Sequence, residues 1–125
     1  MRRTILVLLV AFACLSASTA IADKRQEEEA RVHFQQGIDL YQLGKFEQAA
    51  IEFARAYELN PSYKIFFNIA QSENELGHYA RALEAYIRYE AEGGEEIEPE
   101  RAAQVTAEIK RLNTLVGMIV VECQA

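Results

Sequence analysis

Two histidines, His33 and His78, two cysteines, Cys14 and Cys123, and the acidic runs Glu27-Glu28-Glu29 and Glu95-Glu96 are the residues of this 125-residue sequence most suited to chemistry. A metal site built on either histidine would draw on a second His or Cys within a helical turn, and neither has one. Both are therefore expected to be solvated or packed. The acidic runs lack the alternation around a glycine that a calcium loop requires, so they read as solvated charge at helix beginnings or in a loop. No glycine-rich phosphate loop, nucleophile elbow or supported Ser/His/Asp grouping is present. The expectation is a non-enzymatic protein with no catalytic residue, cofactor or metal. A small hydrolase or metal protein stands as the most distant alternative.

The elements that would position any site begin after the first 22 residues. Arg2 and Arg3 form a positive n-region, Ile5 to Leu15 is apolar apart from Cys14, and Ala20-Ile21-Ala22 offers a small-x-small cleavage pattern. That apolar run is shorter than the ~20 residues a membrane span takes. Residues 1–22 are expected to be a secretory signal cleaved after Ala22, leaving no integral membrane span and a periplasmic or cell-envelope location. Lipidation at Cys14 is the competing reading, against which stands the bulky Phe12 two residues earlier. Cleavage would leave 11 basic residues against 19 acidic, a formal charge of −8, which disfavours nucleic acid as a partner. It would also leave Cys123 alone, so that no internal disulfide forms.

The remainder repeats. Leu43-Gly44-Lys45-Phe46-Glu47-Gln48-Ala49 returns as Leu76-Gly77-His78-Tyr79-Ala80-Arg81-Ala82, shifted by 33 residues. Ala49 and Phe53 recur as Ala82 and Tyr86, and Gly37 aligns with Ala70. Glycines at 44 and 77 suit helix C-caps, the alanines allow close helix approach, and Asn60-Pro61 ends a helix. The residues at these positions resemble the tetratricopeptide repeat over about residues 30–94. His33 and Phe66 stand where that family often has Trp, and Leu40 and Glu73 where it often has Tyr. The reading is an all-α solenoid with two helix-turn-helix repeats over residues 23–94. Its helices are expected at Lys24–Leu43, Phe46–Leu59, Ser62–Leu76 and Tyr79–Ala91. Two repeats are fewer than such arrays usually need, so marginal stability and self-association are further expectations.

A fifth helix is expected from Pro99 to about Val116, as a cap within residues 95–117. Pro99 suits a first helical turn, Gly117 a stop, and Ala102, Val105, Ile109, Leu112 and Val116 follow the spacing of a buried stripe. After it, the β-branched run Met118 to Cys123 predicts a short β-strand in a tail over residues 118–125. Repeats followed by Leu-Val-Gly-x-Ile-Val-Val-x-Cys resemble bacterial envelope proteins in which a β-sandwich of the PEGA or carboxypeptidase-regulatory kind follows the repeats; here only a first strand would remain.

The resemblance implies that a protein or peptide ligand lies along the concave face made by the first helix of each repeat. On this chain that face comprises Arg31, Phe34, Ile38 and Tyr41, and then Lys64, Phe67, Asn68, Gln71 and Asn74. Phe34, Ile38 and Phe67 read equally as ordinary core of amphipathic helices, packed against the fifth helix or the long first helix. Phe34 and Ile38 occupy positions that a carboxylate clamp would fill with Lys and Asn, so that specificity is not expected. The function implied is an exported protein-interaction scaffold. The alternative is a structural subunit whose terminal strand docks onto a partner sheet.

Overall fold

The computed structural model describes residues 2–124, and side chains for residues 20–124. Its elements are α1 (Arg2–Gln42), α2 (Phe46–Leu59), α3 (Lys64–Glu75), α4 (Tyr79–Gly93), a 3-10 turn (Gly94–Glu96) and α5 (Pro99–Gln124). The side chains of residues 1–19, which hold most of the expected signal and Cys14, lie outside the described residues, while the backbone from Arg2 belongs to α1. From Met1 to Gln36 there is no glycine or proline to interrupt a helix, and this accounts for a start at Arg2 rather than Lys24.

The two repeats turn in the same way. Gly44 and Gly77 both have φ of +72°, a left-handed conformation that glycine adopts without a Cβ penalty. The Lys45 N–H donates to the Leu40 carbonyl and the His78 N–H to the Glu73 carbonyl, each at 2.9 Å. Gly44 and Gly77 donate to Tyr41 and Asn74 in the same pattern, so four carbonyls that would otherwise be orphaned at the helix ends are satisfied. Between the repeats, Asn60 is extended ahead of Pro61 and ends α2.

Packing follows the small positions. Ala49, Ala70 and Ala82 have no exposed surface, so the helices of each hairpin meet closely, and Phe53 and Tyr86 fill the space one turn on. A first cluster joins Ala49, Phe53, Ala56 and Ile65, with Phe34, Ile38 and Tyr41 against it. A second joins α3, α4 and α5 around Phe66, Tyr86, Tyr89, Val105 and Leu112. Tyr57 and Ile69 touch both, so the two repeats share one continuous core. As expected of a cap, α5 buries Val105 and Leu112 completely.

The tail corrects the strand expectation. Met118 to Cys123 is helical, and α5 runs through Gly117 to Gln124. Gly117 does not take a positive φ, so no cap forms there; a single glycine weakens a helix by only ~1 kcal/mol. Among the described residues there is no strand to pair with, and a lone strand leaves its amides unsatisfied where a helix bonds them internally. The strand-docking alternative therefore finds no strand among the described residues.

Candidate functional site

The residues expected on the concave face separate into three groups. Arg31 and Phe34 of α1 and Lys64 of α3 share one open cleft of about 280 Å³. Ala30, Ala56 and Ile65 give it an apolar floor, and Glu27, Asn60 and Ser62 complete its rim. The helices supply these positions because Ala30 and Phe34 are one turn apart on α1, while Lys64 opens α3 directly after the Asn60-Pro61 turn. Arg31 and Lys64 are exposed, whereas Phe34 is half-buried with its ring 5.5 Å from Phe53.

The second group is embedded in packing. Ile38 and Tyr41 are half-buried against the first cluster, with the Tyr41 ring 5.1 Å from Phe46. Burial, and then the Glu75 carboxylate, push the Tyr41 phenol up from its ordinary value. Asn68 points an amide back to the Lys64 carbonyl at 3.5 Å, and Gln71 is half-buried beside it on α3.

The third group is met by α5. The Arg101 guanidinium lies 4.3 Å from the Phe67 ring centroid, a cation–π distance, and Phe67 packs edge-on to Tyr86 and tilted to Tyr89. Arg111 donates to the Asn74 side-chain oxygen at 2.7 Å while also gripping Glu108. The second-repeat part of the face is therefore furnished by α5 as much as by α3. For Phe67 this is the alternative of core against the fifth helix; the arginine contacts themselves follow from position, because in a solenoid the helix after a repeat takes the place of the next repeat's first helix. Lys64 bridges to a second cleft of about 470 Å³ between α3 and α5, where Tyr63, Tyr89 and Arg101 meet the acidic residues Glu96, Glu98 and Glu100.

Neither histidine is idle. His33 Nδ1 lies 2.6 Å from Glu52 Oε2, linking α1 to α2, and His78 Nδ1 lies 2.7 Å from Glu73 Oε2 at the α3–α4 turn. Glu73 is buried, and its other oxygen meets Arg81 at 3.6 Å, so the carboxylate is compensated on both sides. Both pairs use positions where the sequence departs from the aromatic residues common at those sites, and both tie helices together. Among the described residues no group of three His, Cys, Asp or Glu side chains is placed to hold a metal ion. Nor, among them, is any helix long and apolar enough to cross a membrane.

The family model for the tetratricopeptide repeat matches residues 30–63, the first hairpin and the turn after it. The uncharacterized protein MJ0572 of Methanocaldococcus jannaschii is 34% identical over 62 residues, which span 49% of this chain and 72% of that protein. With the matched repeat, its second copy 33 residues on, and the paired glycine caps of the two hairpins, the chain carries tetratricopeptide repeats in an all-helical scaffold, a kind of repeat that generally mediates contacts between proteins.

Proposed function

We propose that this protein is an exported, non-enzymatic interaction module that seats a segment of another protein on its concave face, with the α1–α3 cleft as the principal seat. The observation that carries this reading is the cleft itself: an apolar floor at Ala30, Phe34 and Ile65 under two exposed cations, Arg31 and Lys64. A bound segment would place an apolar side chain on that floor and polar or acidic groups at the rim, in the manner of groove-binding peptides. Asn68 and Gln71 lie along the same helix face as Lys64, at i+4 and i+7, where they would meet the backbone of a ligand. Export to the cell envelope rests on the Arg2-Arg3, apolar and Ala20-Ile21-Ala22 pattern.

The test is a crosslinking capture from envelope extract with the full chain and with Arg31→Glu/Lys64→Glu. These two side chains are exposed and outside the core, so the double variant is expected to keep its helical signal and melting temperature. Phe67 is a poor choice for such a variant because it is packed between Tyr86 and Tyr89. A partner captured by the native chain and reduced tenfold or more with the double variant supports the cleft. Equal capture by both chains would place the contact elsewhere. Export is tested separately, by finding the amino terminus of the protein recovered from the envelope: Asp23 is expected, and an intact or lipid-modified terminus counts against cleavage after Ala22.

A further inference from the structure

The cavity of about 470 Å³ between α3 and the segment entering α5 falls in the ~300–1,000 Å³ range of small-molecule sites. Two glycines shape it. A Cβ added at Gly93 would come within 2.7 Å of both Tyr63 and Ile97, so the bare backbone there lets Ile97 bury against the end of α4. Gly94, with φ of +49°, then turns the chain in a conformation that favours glycine. The Tyr63 hydroxyl donates to the Glu96 carbonyl at 3.4 Å and holds the turn beside the start of α3. One wall of the cavity is aromatic, because the Tyr63 and Tyr89 rings meet with centroids 5.4 Å apart.

Charges of both signs line this cavity, and they are sorted. The cations gather at α3: Lys64 opens that helix, and Arg101 reaches from α5 onto the ring of Phe67, about one turn after Lys64. The carboxylates of Glu96, Glu98 and Glu100 come instead from the turn and the start of α5. Among the described residues none of these five side chains forms an ion pair, although one cavity holds them all. Arg101 bonds Gln104 at 2.9 Å, and the Lys64 ammonium lies 6.0 Å from the Tyr63 ring centroid.

We infer that this cavity binds a small zwitterion, a free amino acid or a short peptide, with its carboxylate at Lys64 and Arg101 and its ammonium among Glu96, Glu98 and Glu100. The charges decide the class. A ligand with a carboxylate alone satisfies the cations but faces three uncompensated acids, and one with an ammonium alone meets the acids but also the two cations. A phosphate-bearing ligand would bring still more negative charge among the carboxylates. Only a ligand carrying both signs neutralises both sets. Arg101 suits the carboxylate end because its guanidinium is a planar fork of donors, and stacking on Phe67 holds that plane in place. The tyrosine faces attract an ammonium and pack an aliphatic side chain equally well. The cavity shares only Lys64 with the α1–α3 cleft, so it stands or fails independently of the peptide seat proposed there.

Titration of the full chain with L-leucine and with leucyl-leucine, followed by NMR, tests the site, and the tighter of the two tells a free amino acid from a peptide. Saturable shifts at Tyr63, Gly93 and Arg101 are expected, with a Kd of about 1 mM or tighter. N-acetyl-leucine, which keeps only the carboxylate, and leucinamide, which keeps only the ammonium, are each expected to bind about tenfold more weakly or worse. Arg101→Gln and the double variant Glu98→Gln/Glu100→Gln change exposed side chains and are expected to weaken the zwitterion about fivefold or more with the helical signal unchanged. Arg31→Glu, outside the cavity, is expected to leave it bound. No saturable shift with either probe up to about 20 mM, or equal binding of the singly charged analogues, overturns the inference. So does unaltered binding by both cavity variants, or a loss confined to Arg31→Glu, which would put the ligand in the other cleft.

Discussion

Phe53→Ala is expected to lower stability by about 3–5 kcal/mol, the range for truncating a buried aromatic ring. Folded domains are stable by only about 5–15 kcal/mol, so a two-repeat domain should be left mostly unfolded near physiological temperature. Phe53 is 1% exposed and lies at the centre of the first cluster, with Phe34 tilted against it and the backbone of Gly37 directly over its ring. A Cβ added at Gly37 would come within 2.6 Å of Phe53 Cε1, closer than any relaxed contact. Gly37→Ala should therefore cost about 1–3 kcal/mol through overpacking, although alanine is the better helix former at an isolated site. Gly37→Ala and the smaller truncation Phe53→Leu share one space, so their double variant should be more stable than the sum of these two single effects implies. Urea unfolding of the four chains measures this cycle. Additivity within about 0.5 kcal/mol would mean that the ring moves aside freely and that Gly37 is not required by Phe53.

The second repeat solves the same problem with different residues. Ala70 replaces Gly37 and Tyr86 replaces Phe53, so the Cβ is accommodated while the aromatic ring is kept. Each hairpin also carries a histidine–carboxylate pair, but at unrelated places: His33–Glu52 across the packed faces of α1 and α2, and Glu73–His78 at the α3–α4 turn. The repeat therefore fixes the backbone and the small-to-aromatic packing, while polar ties are added separately in each copy. The face proposed to seat a ligand differs in the same way. Its first-repeat half is an open cleft rimmed by cations, and its second-repeat half is lined by arginines from α5.

How far these features were legible in the sequence varied with their cause. The span of α2, Phe46 to Leu59, was readable because Gly44 and Asn60-Pro61 bracket it with backbone requirements that no other conformation satisfies. The span of α5 was not. A β-branched run after a glycine has strand propensity, yet propensity is a weak preference, and with no strand available to pair, the helix that satisfies its own amides prevails. For the face expected to be concave, helical spacing put Arg31 with Phe34 on α1 and Lys64 with Phe67 on α3; the structure keeps Arg31, Phe34 and Lys64 around one cleft, while Phe67 packs under α5. Spacing along one helix says nothing of what another helix lays across it, so the contacts of Arg101 with Phe67 and of Arg111 with Asn74 were invisible until α5 was in place.

Tyr86 gives the other large effect, and it appears in alkali. Its phenol is pushed up from 10 to about 12, first by burial and then by the Glu108 carboxylate and Tyr41, with Arg111 and Arg101 pulling the other way. The residue is 4% exposed, so solvent screens little of this. Because the folded value is raised, the stability linked to Tyr86 is intact below the unfolded value of 10 and is lost as pH rises through about 12. Two pH units correspond to about 2.7 kcal/mol. The native chain should therefore lose up to about that much more than Tyr86→Phe between pH 10 and 12, when unfolding free energy is followed against pH. Tyr41 and Tyr89 are also raised, chiefly by burial, and remain in both chains, so the difference between the two curves isolates Tyr86. Curves that run parallel through this window would mean that the phenolate is tolerated where it lies, and that the second-repeat core opens to water before the ring ionises. Arg111→Gln sharpens the distinction: it removes a cation that favours the phenolate, so it should move the loss to higher pH if the fold stays closed, and leave the midpoint in place if opening comes first.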